Sequence, residues 1–289
     1  MRSEQHMLDL ILNTARADAA IRAVIMNGSR ANPNAPKDIF QDFDIVYLVT
    51  DVASFKANSA WIDVFGERMI LQLPDDMEDP PPEPGDSYAY LIQLMDGNRI
   101  DLTLYPVEKL SAMERDSQSI LLLDKDGIVV PFPPPSDHDY LPQPPTAKQF
   151  FDCCNEFWWL TPYVAKGLWR EELPYAKTHL DDYIRHQLMK MLNWFVGVNT
   201  DFQKSPGKMG KYLKQFLEPE LWKLFLDTYS DADYKRNWEA LETMGKLFRQ
   251  VAVPVAAHFG FEYPFGDDER VSVHVRHVRQ LPKDAETMY

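Results

Sequence analysis

The feature that most constrains the fold is an abrupt change of texture at a proline-rich segment, "PFPPPSDHDYLPQPP", residues 131–145. Proline fixes φ and removes a backbone donor, so this run reads as a stiff extended linker and a domain boundary. Before it, apolar residues come in runs of strand length. After it, they recur at helical spacing over long stretches. The chain is therefore expected to be α+β. Residues 1–135 should form a mixed β-sheet flanked by helices, and residues 146–289 an all-helical bundle with a C-terminal tail. With 289 residues there is chain enough for two cores, since domains usually run about 100–200 residues.

In the first half, Met7, Leu8, Leu10, Ile11 and Leu12 predict a helix that ends before the β-branched run "IRAVIM" at 21–26. "FDIVYLV" (43–49) and "RMILQL" (68–73) have strand length, and "AYLIQLMDGNRIDLTLYP" predicts a hairpin turning at Asp96-Gly97-Asn98. "SILLLDKDGIVVPF" repeats the strand-turn-strand pattern around Asp126-Gly127, and "PDDMEDPPPEPGD" (74–86) reads as an exposed loop. In the second half, "AKQFFDCCNEFWWLTPYVAKGLWR", "LPYAKTHLDDYIRHQLMKMLNWFVGV" and "YKRNWEALETMGKLFRQVAVPVAAHFG" carry helical periodicity. Shorter helices are expected over 207–217 and 218–228, with Pro219 at a helix start. The tail "VSVHVRHVRQLPKDAETMY" alternates briefly, which predicts a strand or an extended arm.

Thirty basic against forty-four acidic side chains leave a formal charge of −14. That repels a phosphate backbone at long range and favours a polycationic small molecule over DNA or RNA as partner, although acidic surfaces also serve solubility alone. No stretch approaches the roughly 18 apolar residues of a membrane span, and the N-terminal apolar patch is interrupted by Glu4, His6 and Asp9. A cytoplasmic protein, monomeric or homodimeric, is expected. Cys153 and Cys154 are adjacent, hence poorly placed to bridge each other, and fit a reducing compartment as buried small apolar residues.

The chemistry-bearing order begins at "MNGSRANPNAPKDIFQDFDIVYLV", residues 26–49. Gly28-Ser29 follows a strand, where backbone N–H groups can approach a phosphate closely and the hydroxyl adds a donor. Asp42 and Asp44 lie two apart at the mouth of the next strand, so both carboxylates point to one face. Asp101, two residues after Arg99 in "RIDLTLY", joins them if the two strands are neighbours. Three carboxylates make an oxygen-only site suited to Mg²⁺, and a pair of such ions can clamp the attacking and leaving oxygens of a phosphoryl displacement. Each element alone also fits a plain turn or a solvated strand start; the joint order is what points to a nucleoside triphosphate with its metal. The sequence contains no Walker lysine loop, no G-x-G-x-x-G and no H-E-x-x-H.

This order resembles the DNA polymerase β-like nucleotidyltransferase superfamily. Within it, "MNGSRANPNAPKDIFQDFDIVYLV", "GNRIDLTL", "LPYAKTHLDDYIRHQLMKMLNW", "GKMGKYLKQFL" and the "RHVRQLP" tail resemble the aminoglycoside 6-adenylyltransferases, the streptomycin-modifying enzymes, over nearly the whole chain. The resemblance implies adenylyl transfer from ATP with Mg²⁺ to an aminoglycoside hydroxyl, release of pyrophosphate, and antibiotic resistance. Gly28 and Ser29 then match the triphosphate-holding turn, Asp42 and Asp44 the metal pair, and Asp101 the third acid, either a metal ligand or the general base. Arg30 either reaches phosphate or pairs with a carboxylate at the rim.

In the helical half, Lys208 or Lys211 of "SPGKMGKYLKQ" is the implied lysine for the β- and γ-phosphates, the alternative being a solvated basic helix start. Acids around the "LPYAKTHLDDYIRHQ" helix, Glu172 and Asp182 foremost among Glu171, Glu172, Asp181 and Asp182, suit a cationic acceptor, because charge-assisted hydrogen bonds to carboxylates are strong. Equally, such acids favour a helix start through the macrodipole. Phe150, Phe151, Phe157, Trp158 and Trp159 are expected in the core rather than as a base-stacking platform, and His274 and His277 at the surface.

Overall fold

The computed structural model describes residues 1–78 and 87–289. The loop expected over 74–86 therefore lies largely outside the described residues; its start, Pro74–Asp76, is a single 3₁₀ turn. The chain divides into two compact units, Met1–Asp139 and Tyr140–Tyr289.

The first unit is built on a mixed six-stranded sheet of order β3-β4-β5-β2-β1-β6. Its strands are β1 (Ile21–Asn27), β2 (Phe43–Val49), β3 (Arg68–Gln72), β4 (Tyr88–Leu94), β5 (Arg99–Pro106) and β6 (Ile120–Asp124). All neighbours are antiparallel except β2 and β5, which run parallel. Period-two alternation sorts the side chains. Phe43, Ile45 and Tyr47 of β2 and Ile100, Leu102 and Leu104 of β5 enter the main core with Met7, Ile11 and Ala15 of α1 (Glu4–Ala17). Each fully buried Leu, Ile, Met or Phe among these contributes about 1.5–3 kcal/mol. The Tyr47 hydroxyl donates to the Ile11 carbonyl at 2.7 Å, which ties β2 to the helix. On the other face, Ala23, Ile25, Leu48 and Val129 form a smaller cluster.

The hairpin expected at Asp96-Gly97-Asn98 is present, with Gly97 at φ +89°. Asp96 accepts from the Asn98 backbone N–H at 3.0 Å and from Arg2 Nε at 2.7 Å, anchoring the N-terminus to the turn. The second expected hairpin is only half present. β6 forms, but residues 128–130 are not a strand. The Asp124 carboxylate accepts from the backbone N–H groups of Asp126, Gly127 and Val129, so those donors are satisfied by a side chain instead of by a ladder.

The second unit is helical: α4 (Ala147–Trp169), α5 (Leu173–Thr178), α6 (Arg185–Asn199), α7 (Pro219–Asp227), α8 (Tyr234–Phe259) and α9 (Phe265–Gln280), with α2 (Gly28–Ala31) and α3 (Val52–Ala57) belonging to the first unit. α4 opens on a capping box, Thr146 with Gln149. α5 and α6 are joined without a break by a π turn, His179–Ile184. The core centres on Phe157 stacked on Phe248, ring centroids 3.8 Å apart. Among the described residues no helix is long and apolar enough to cross a membrane.

Three expectations for this half are corrected. The tail is the helix α9, because Val271, Val275 and Val278 recur at i, i+4 and i+7; Val275 and Val278 are buried while the alternating Val273 is exposed. The helix expected over 207–217 is two 3₁₀ turns, Lys208–Gly210 and Leu213–Gln215, since Gly207, Met209 and Gly210 all take positive φ. Of the α4 aromatics expected in the core, Phe150, Phe157 and Trp158 are buried there, but Phe151 and Trp159 are exposed. His274 and His277 are partly covered: they bond to the Tyr289 hydroxyl and the Met288 carbonyl and hold the last residues against α9.

Candidate active site

The parallel pairing of β2 with β5 sets Asp44 directly beside Asp101. Both are at alternating positions turned away from the α1 core, and Asp42, two residues before Asp44, shares that face. One carboxylate oxygen from each of the three lies within 4.8 Å of the others.

The turn after β1 completes the arrangement. Asn27 of β1 is opposite Asp44 in the β1–β2 register, so Gly28 and Ser29 begin α2 at the carboxylates' edge of the sheet. Gly28 has φ +74°, and a Cβ built there would overlap Asp44 Oδ2. Glycine is thus required twice, for the backbone conformation and for the close approach of the turn to the carboxylate. Gln41 Nε2 donates to the Ser29 carbonyl at 3.1 Å, fastening the turn to the segment that carries Asp42.

Arg30 is engaged locally. Its Nε donates to the Asp42 carbonyl at 3.0 Å and Nη2 to the Gln41 carbonyl at 2.5 Å; Nη1 pairs with Glu4 at 3.3 Å and the guanidinium lies 3.9 Å from the Phe43 ring centroid. Its visible work is to fix the backbone at Asp42, and it also pairs with the Glu4 carboxylate at the rim.

Arg99 was visible in the sequence only as the neighbour of Asp101. It donates to both Asp101 oxygens at 2.7 Å, and its Nε is 4.0 Å from Asp42 Oδ2. Hydrogen bonding to Asp101, against some desolvation, raises the guanidinium pKa further. Arg99 sits two residues before Asp101 on one strand, and that spacing was the signal for a same-face partner. A second group had no local signal. Asp137 accepts from Asn32 Nδ2 at 2.6 Å, Asn34 Nδ2 at 3.1 Å and Gln118 Nε2 at 3.0 Å, and so pins the loop that follows the Gly28-Ser29 turn.

The other sequence candidates belong to the helical unit. Lys208 opens a 3₁₀ turn, and Lys211 Nζ lies 5.1 Å from the Tyr212 ring centroid. Glu172 is the N-cap of α5 and is exposed. Asp181 pairs with Lys177 at 2.7 Å and Arg185 at 3.4 Å, whereas Asp182, exposed in the π turn, makes no salt bridge among the described residues. Cys153 and Cys154 are buried, and desolvation pushes the Cys153 thiol up to about 12, which leaves it a packing residue.

A hard divalent cation fits the carboxylate trio: three oxygen donors converge, with no sulfur or nitrogen ligand among them. A family model described as streptomycin adenylyltransferase matches residues 1–278. The chain belongs to the streptomycin adenylyltransferase family. It is 45% identical over 285 residues to an aminoglycoside 6-adenylyltransferase of Campylobacter jejuni, covering 98% of this chain and 97% of the relative. It is 41% identical over 270 residues to the aminoglycoside 6-adenylyltransferase of Bacillus subtilis strain 168, covering 93% and 95%. A crystal structure of an aminoglycoside 6-adenyltransferase from Bacillus subtilis aligns over 97% of this chain and 100% of that one, at 36% identity and a TM-score of 0.48. Membership in the streptomycin adenylyltransferase family makes the chain an adenylyl-transferring enzyme.

Proposed function

We propose that this protein transfers AMP from ATP to a hydroxyl of an aminoglycoside, the 6-hydroxyl of streptomycin being the best-supported acceptor, and that in a bacterial cytoplasm this confers resistance. The observation that carries the reading is the convergence of Asp42, Asp44 and Asp101 beside a Gly28-Ser29 turn that has no room for a side chain. The relatives' printed activity and the acidic charge of the chain, suited to a polycationic acceptor, support it.

Asp42 and Asp44 would hold Mg²⁺ through their carboxylate oxygens, with Asp101 within reach. When bound, the ion supplies positive charge against the phosphate oxygens. The turn's backbone N–H groups and the Ser29 hydroxyl take the triphosphate. The acceptor oxygen forms a bond to the α-phosphorus, the bond from that phosphorus to the α–β bridging oxygen breaks, and pyrophosphate leaves. Asp101 takes the acceptor's proton. Arg99 occupies one lone pair on each Asp101 oxygen, orienting the carboxylate and leaving a second lone pair for the proton. Lys208 and Lys211 are assigned to the β- and γ-phosphates, and Asp182 and Glu172 to the acceptor's cationic groups.

The test is pyrophosphate release and mass-spectrometric detection of the adenylylated product with ATP, Mg²⁺ and streptomycin. Asp44→Asn should abolish both while circular dichroism stays native. Turnover that survives Asp44→Asn removes the mechanism; turnover only with non-aminoglycoside alcohols removes the acceptor.

A further inference from the structure

We infer that an aromatic pocket of the helical unit, framed by the π turn, binds a guanidinium group carried by the acceptor; the carrier, though not the pocket's cation selectivity, rests on the aminoglycoside reading above. The cavity, about 450 Å³, is lined by Glu156, Trp159 and Tyr163 of α4 and by His179, Tyr183 and His186 of the π turn and α6.

Trp159 is 63% exposed and Tyr183 51%, although the neighbouring Trp158 and Ile184 are buried. Large rings left open side by side forgo burial and mark a surface kept for something else. A π turn adds a residue to the helical repeat and so re-aims the side chains that follow. Here it sets His179 parallel to Tyr163, centroids 5.4 Å apart at 5°, and Tyr183 edge-on to His179 at 5.2 Å and 87°. His179 Nδ1 lies 2.9 Å from the Tyr175 carbonyl. A carbonyl only accepts, so Nδ1 carries a proton, and the neutral tautomer this bond selects has its lone pair on Nε2.

The pocket thus offers π faces, the Glu156 carboxylate and an imidazole lone pair. That set recognises a planar cation rich in N–H donors and repels phosphate. The structure already uses the same attraction at the rim: Lys166 Nζ lies 4.7 Å from the Tyr163 centroid and 5.5 Å from that of Tyr175. Tyr163 is therefore occupied by Lys166 and His179, while Trp159 and Tyr183 are the rings open to a ligand.

Trp159→Leu, Tyr183→Leu and Glu156→Gln alter exposed or rim side chains of the intact enzyme. Each should raise the KM for streptomycin by about 3- to 30-fold, the range that lost cation–π or charge contacts produce, with the KM for ATP within about twofold. Methylguanidinium chloride, titrated into wild type without nucleotide, should quench a fluorescence component that is missing in Trp159→Leu. If methylguanidinium leaves wild-type fluorescence unchanged, or if the variants raise the KM for ATP and not for streptomycin, the pocket is not a cation subsite. If no aminoglycoside is adenylylated yet methylguanidinium still reports on Trp159, the subsite stands and the acceptor reading alone falls.

Discussion

Gly28→Ala isolates what the Gly28-Ser29 turn does. Alanine at φ +74° pays about 1–2 kcal/mol for a left-handed backbone, and its Cβ cannot coexist with Asp44 Oδ2 in its present position. The carboxylate must swing aside, and displacements of about 1 Å at a reacting centre cost on the order of 10²-fold in rate. Gly127→Ala supplies the control. Gly127 has φ +65° and nothing within 4 Å of a built Cβ, so it carries the same backbone penalty with no collision. Both variants should lose about 3–6 °C in Tm, the equivalent of 1–2 kcal/mol in a unit of this size. Only Gly28→Ala should lose about 10²-fold in kcat/KM for adenylyl transfer. Steady-state pyrophosphate release and differential scanning calorimetry on the pair read both quantities. Activity within twofold of wild type in Gly28→Ala, or equal activity losses in the two variants, would refute the claim that the turn must abut Asp44.

Removing the guanidinium in Arg99→Met leaves the three carboxylates without their internal counter-ion, so Mn²⁺ binding followed by electron paramagnetic resonance should tighten severalfold while kcat falls by about tenfold as Asp101 loses its orientation. Burial alone would raise the Asp96 carboxyl, but hydrogen bonds from Arg2 and Asn98 outweigh it and hold it below the usual carboxylate range. The unfolded chain then binds more protons than the native one through that range, so this stability is present above about pH 4 and lost as pH falls below it. Arg2→Met should cost about 1 kcal/mol at pH 7 by urea denaturation, and the difference from wild type should vanish in strong acid. In α9, Val275→Ala should destabilise by about 1–3 kcal/mol and Val273→Ala by under about 0.5 kcal/mol, because only Val275 is buried; equal effects would contradict the helical register.

How much of this was legible beforehand depended on how local each signal was. β1, β2 and the Asp96-Gly97-Asn98 hairpin were readable because their apolar runs and turn chemistry lie within one window of sequence. Asp42 and Asp44 shared a face by spacing alone, and Asp101 joined them once β2 and β5 proved to be neighbours. The tail misled because "VSVHV" alternates, while the burial of Val275 and Val278 against the helical core overrides that short pattern. Residues 207–217 carry helix-forming lysines, yet two glycines and Met209 at positive φ break the helix. Nothing local could disclose Asp137: its amide partners Asn32 and Asn34 are more than a hundred positions away. Trp159 was misjudged for a subtler reason, since helical spacing tells which residues share a face and not whether that face is covered.

The parallel pairing of β2 with β5 also bears on how the enzyme comes into being. β3 and β4 lie between them in sequence, so Asp44 and Asp101 meet only after the chain has looped out, doubled back and closed a non-local contact, the slow kind of step in folding. A ribosome-bound or half-assembled chain therefore carries the Asp42–Asp44 pair without its third carboxylate. The repulsion that Asp101 adds to this pair comes only with the strand that also brings Arg99, two positions before it, to offset the charge.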